Sequence, residues 1–180
     1  GGISHQQCDG VWLAPSEIYG LAVALLATRV RGDAWPKHVR YRYLDGPFKP
    51  PFSNGEPDAA AVDTRADEGS LLTLDDLYGT CLFEDAYLNV EGHMPAQVQV
   101  GRGWLTPADF LATLGAALPG WLKGSTDATS VVHGDLIQAQ HVPDHVSWDW
   151  LVFPPEFNAD PLLQAAKLQT WTLKPASCRY

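Results

Sequence analysis

Two stretches of this chain agree at both ends of a spacer of one length, and that agreement constrains the fold more than any other feature. "LAPSEIYGLAVALL" from Leu13 and "LTLDDLYGTCLFED" from Leu72 each carry an acid, an aliphatic residue and then Tyr-Gly. Glu17 precedes Pro36 by nineteen positions, and Asp76 precedes Pro95 by nineteen. Pro36 and Pro95 each begin Pro-x-[His/Gln]-Val, and Pro143-Asp144-His145-Val146 gives the pattern again. Unrelated segments rarely agree in this way, so the chain reads as copies of one unit. "LTPADFLATLGAAL" from Leu105 opens a third copy, and "VFPPEFNADPLLQAA" from Val152 opens a fourth.

The four openings share the signals of a helix start. Thr73 and Thr106 can cap free backbone amides, with Asp76 and Asp109 three residues later facing the same amides. Pro15, Pro107 and Pro154 suit the first helical position, where no amide hydrogen is needed. Glu17 and Glu156 supply the first-turn acid that the helix dipole favours, whereas Ala14 and Phe153 lack a capping side chain. Apolar residues recur at intervals of three and four: Ile18, Ala22, Leu25, Leu26 and Val30, then Leu77, Cys81, Leu82 and Leu88. Behind each helix, period-two alternation predicts a short strand with one buried face. Val98 and Val100 belong to that face, as do Val39 with Tyr41 and Tyr43, and Val146 with Trp148 and Trp150.

The expected architecture is therefore α/β, with repeated helix–strand units packed as a single domain over residues 1–180. The units run at about 13–45, 72–104, 105–151 and 152–175. Two insertions interrupt them. One is the Pro/Gly/Asp-rich stretch at about 46–70, a partly mobile loop solvated by Asp63, Asp67 and Glu68. The other, "PGWLKGSTDATSVVHGDLIQAQH", follows the third helix, and within it Thr129 to Ile137 are expected to add a strand. Insertions in repeat arrays frequently gather on a binding face.

Composition narrows the function. At 46% apolar and 18% charged residues the chain is globular, and no apolar run approaches the roughly 18 residues that cross a bilayer. A net charge of −9 disfavours nucleic acid, anionic polymers and anionic membrane surfaces, and leaves neutral or cationic partners open. Gly1-Gly2 with no initiator Met reads as a cloning remnant on a piece of a longer protein. Cys81 is expected to be a small core residue, and Cys8 and Cys178 can form a disulfide if the protein is exported.

Seven tryptophans invite a sugar-binding reading, because carbohydrate rings stack on aromatic faces. Trp104 after Gly103, and Trp121 beside Gly120 in the second insertion, are the surface candidates. Trp35 is a third candidate, although its place before Pro36 also suits a clamp between helix and strand. His133, Asp135 and His141 offer a metal alternative, with His145 and Asp144 near. Pro143 keeps His141 and His145 off one helical face, and His38 and Gln97 occupy the repeat position of His145, so solvent-facing polarity explains that position. His133-Gly134-Asp135 is similar to the catalytic loop of small-molecule phosphotransferases, but Gln140 stands where a metal-binding Asn belongs and no phosphate loop precedes it. Gly-x-Ser-x-Gly is absent, and the adjacent acids Asp75-Asp76 and Glu84-Asp85 point about 100° apart on a helix. No catalytic set and no cofactor follow from these residues.

The stretch Leu72 to Leu118 resembles the pseudomurein-binding repeat of archaeal cell-surface proteins, chiefly at Pro95, Val98, Val100, Phe110, Leu111 and Leu114. The resemblance implies a non-catalytic module that attaches an extracellular or cell-surface protein to a cell-wall polymer or neutral polysaccharide. A metal-dependent hydrolase is the alternative. Another is a protein–protein scaffold that docks a protein partner through the 46–70 loop.

Overall fold

A computed structural model describes residues 1–32, 34–40, 42–44, 65–145 and 159–175. Most of the first insertion, together with Tyr41, Trp148, Trp150, Pro154, Glu156 and Cys178, lies outside the described residues. The described chain is mixed α/β, with helices set among small two-stranded sheets.

Three helices are each preceded by a short strand and one capping residue. Strand β1 (Gly2–Ile3) and the hairpin of β2 (Gln6–Cys8) and β3 (Val11–Leu13) lead through Ala14 into α1 (Pro15–Arg31). Strand β4 (Leu71–Leu72) leads through Thr73 into α2 (Leu74–Glu91). The hairpin of β5 (Val98–Val100) and β6 (Gly103–Leu105) leads through Thr106 into α3 (Pro107–Trp121). Beyond these lie β7 (Thr129–Ser130), β8 (Asp135–Leu136), a 3₁₀ turn at Ile137–His141, α4 (Asp160–Gln169) and a 3₁₀ turn at Thr170–Thr172.

The capping chemistry is as the residue types dictate. Thr73 and Thr106 accept the amides of Asp76 and Asp109, each at 3.1 Å. Pro15 and Pro107 occupy the first helical position. Ala14 brings no capping oxygen, and Glu17 compensates by reaching back to accept the Ala14 amide at 2.7 Å.

The core joins Tyr19, Val23 and Leu26 of α1 to Leu77, Cys81 and Leu88 of α2 and to Phe110 and Leu114 of α3. Tyr19 and Phe110 meet at a ring-centroid distance of 5.9 Å. Cys81 is a buried core residue, as expected.

Charged groups also enter this interior. Glu84 accepts the Tyr19 hydroxyl at 2.8 Å, while Asp85 receives Arg31 at 2.7 Å and Arg42 at 2.8 Å. Burial pushes the Glu84 carboxyl up to about 7, partly offset by the Tyr19 hydrogen bond. The basic stretch around Arg29 to Arg42 thus serves a buried acid.

Several expectations need correction. The strand after the first helix is absent among the described residues 34–40 and 42–44. Tyr43 is 64% exposed, and its neighbour Leu44 is buried instead, packed on Gly20. A slip of one residue exchanges the two faces of an extended segment. The expected strand Thr129 to Ile137 is split into β7 and β8, because residues 131–134 turn aside to bond elsewhere. The last part of the first insertion, Arg65 to Ser70, is tied down rather than loose. Arg65 bridges Trp104, and Gly69 and Ser70 exchange backbone bonds with Val131.

Candidate functional site

The start of α3 gathers a polar cluster around one buried carboxylate. Asp109 is 2% exposed, and its carboxylate reaches well beyond the Thr106 cap instead of closing a capping box on the cap's backbone amide as Asp76 does. Its Oδ2 accepts Arg65 Nη2 at 2.7 Å, while Oδ1 accepts the Gly134 amide at 3.0 Å and faces His133 Nδ1 at 2.9 Å. Burial alone would raise this carboxyl. The Gly134 amide, Arg65 and Thr106 outweigh it and hold the group below the usual aspartate range.

Backbone approach makes the cluster possible. A Cβ at Gly134 would fall 2.2 Å from the Ala108 carbonyl oxygen, so this crossing demands glycine. Thr113 fixes the same strand segment, accepting the Val132 amide at 3.0 Å while donating to the Asp109 carbonyl at 2.7 Å. His133 is therefore placed by its neighbours on both sides. Its second nitrogen, Nε2, lies 3.2 Å from Asp135 Oδ1.

In front of the cluster lies a cavity of about 370 Å³, lined by Arg65, Ala66, Asp67, Glu68, Asp109, Val131 and His133. Its lining joins residues 65–68, from the stretch expected as the first insertion, to 131 and 133, from the stretch expected as the second. Trp104 adjoins it through Arg65, whose guanidinium carbon sits 5.8 Å from the centroid of the Trp104 ring. Trp104 is half-buried, and its carbonyl accepts the Ala66 amide at 2.9 Å.

This arrangement offers donors from Arg65 and His133, acceptors from Asp67 and Glu68, and an aromatic neighbour. No lining residue carries a hydroxyl or thiol to serve as a nucleophile. Asp109 orients His133 as an acid orients a general base, but the other ring nitrogen faces Asp135 rather than open space.

Of the candidate residues, His133 lines this cavity and Trp104 is the tryptophan that adjoins it. Trp121 is 4% exposed and belongs to the core, so it presents no ring to a ligand. The helix runs on through Pro119, which places Trp121 four and seven positions after the buried Ala117 and Leu114 on one face. Trp35 is half-buried against the core beneath Arg29, whose guanidinium carbon is 5.7 Å from the ring centroid.

His133 and Asp135 do meet, but His141 lies on the 3₁₀ turn. Among the described residues no three His, Cys, Asp or Glu side chains are placed to hold a metal ion. Sequence reasoning missed Arg65, a lone base in an acidic stretch. It also read Asp109 only as a cap, although Gly134 beside His133 signalled a close backbone approach. No helix among the described residues is long and apolar enough to cross a membrane. Comparison with protein-family models, curated proteins and solved structures finds no match to this chain.

Proposed function

We propose that this chain is a non-catalytic attachment module of an exported or surface protein, binding a cell-wall polymer or neutral polysaccharide. The observation that carries the reading is the half-buried Trp104 beside a cavity lined by both donors and acceptors. Sugars need this combination: an apolar ring face to stack on, and directional partners for their hydroxyls. The convergence of both insertions on the cavity supports the reading, since insertions in repeat arrays gather on a binding face. The three strand–cap–helix segments are, in this account, copies of one unit resembling the pseudomurein-binding repeat. The charge of −9 directs the choice toward uncharged polymers.

Co-sedimentation with insoluble wall material and neutral polysaccharides tests the proposal. The protein is expected in the pellet, and Trp104→Ala is expected to return it to the supernatant with its thermal melt intact. Absence from every pellet contradicts the proposal.

A further inference from the structure

A second groove lies on the other side of the β5–β6 hairpin. Its floor is Gly79 and Thr80 of α2, and its walls are Phe83 and the hairpin turn at Gly101. Asp75 stands at the rim, Gln99 lines it, and the volume is about 370 Å³. Phe83 is 64% exposed. A Cβ at Gly79 would meet nothing within 4 Å, so glycine there leaves the floor open rather than relieving a clash. An exposed aromatic ring on a helix that has its core face elsewhere is not required by packing.

The two grooves are joined by a row of side chains. The hairpin register sets Gln99 opposite Trp104, and Arg65 bridges Trp104 from the other edge. Directly paired residues project from one face of a sheet. That face points away from the core, because the alternating residues Val98, Val100 and Leu105 are all buried. Gln99 lines the Phe83 groove and Arg65 lines the His133 groove, with Trp104 between them.

We infer that the two grooves and the Gln99–Trp104–Arg65 row form one continuous track that holds several consecutive residues of a linear neutral polysaccharide. The inference rests on the glycan-binding reading above. Phe83 and Trp104 give two stacking platforms, and the amide and guanidinium in the row serve hydroxyls between them. Asp75 at one end and Glu68 at the other disfavour an anionic chain.

Calorimetric titration of the whole chain with β-1,4-linked oligomers of N-acetylglucosamine and of glucose, disaccharide through hexasaccharide, tests the track. In at least one series, affinity is expected to rise about tenfold or more with length. Phe83→Ala is expected to abolish that rise and spare the disaccharide, and Trp104→Ala to weaken binding at every length. Both substitutions are at residues outside the fully buried core, and an unchanged melt verifies the fold. A hexasaccharide that binds no tighter than the disaccharide, or is indifferent to Phe83→Ala, overturns the track while glycan binding stands. No binding in either series overturns the track, and absence from every pellet in co-sedimentation as well overturns both.

Discussion

Helices α2 and α3 open with the same Thr-x-x-Asp, and the two aspartates do different things. Asp76 turns back on its own helix start, accepting the Thr73 amide at 3.0 Å and its hydroxyl at 2.6 Å. Asp109 keeps the same amide bond to its Thr but gives its carboxylate to Arg65, His133 and Gly134. The local grammar is one; the tertiary surroundings differ. The segments around residues 65 and 133 close over α3 and supply a cation, an imidazole and a backbone amide, whereas the β5–β6 turn brings Gly101 near Asp76. A capping acid becomes a site residue when other segments compete successfully for its oxygens.

The largest test of this contrast is at glycine. Gly134→Ala places a Cβ against backbone that cannot yield, and is expected to cost about 3 kcal/mol or more in chemical denaturation. Gly79→Ala in open space on α2 is expected to be neutral or to stabilise by about 0.5 kcal/mol. Equal effects at the two glycines would remove the close crossing from the account.

Next in size is the pair of aspartates themselves. Asp109→Ala leaves Arg65, His133 and the Gly134 amide without their acceptor, at a cost of about 2 to 3 kcal/mol. Asp76→Ala removes an exposed capping box, at about 1 kcal/mol. Because folding lowers the Asp109 carboxyl, its contribution is present above the ordinary value of 3.8 and lost as pH falls through the folded value. Asp109→Asn should flatten that acid limb of the stability curve, and an unaltered limb would count against the assignment.

Glu84 extends the contrast to a buried acid held by a tyrosine hydroxyl. Its folded value of about 7 lies above the ordinary 4.5, so the folded state holds the extra proton between them. Stability from this group is therefore full below 4.5 and falls as pH rises toward 7. Glu84→Gln is expected to match the parent at low pH and to exceed it by on the order of 2 kcal/mol at pH 8. A parent that gains stability across that window relative to the variant would reverse the sign and contradict the reading.

Much of the local structure was legible because it depends on near neighbours. Thr73, Thr106, Pro15 and Pro107 announced their helices, and Val98 and Val100 announced a strand. What depended on distant partners was not legible. Tyr43 and Leu44 differ by one step in an extended segment, and Leu44 is chosen because Gly20 leaves it room. Trp121 reads as a surface residue from its place beside Gly120 in the second insertion, yet the helix runs on through Pro119 and its far end is buried. Glu84 and Asp85 read only as adjacent helical acids that do not converge, because their partners, Tyr19, Arg31 and Arg42, lie far away in sequence. The cavity at α3 was invisible for the same reason: it is assembled from segments around residues 65, 109 and 133.

The central claim is that a glycan meets this protein at Trp104. Each tryptophan indole N–H gives its own proton–nitrogen correlation, so titration with the N-acetylglucosamine and glucose hexasaccharides reads the contact residue by residue. The account predicts that the Trp104 signal shifts progressively while those of the buried Trp121 and Trp171 stay in place. A Trp104 signal that does not move with either sugar, or shifts confined to other tryptophans, would contradict it.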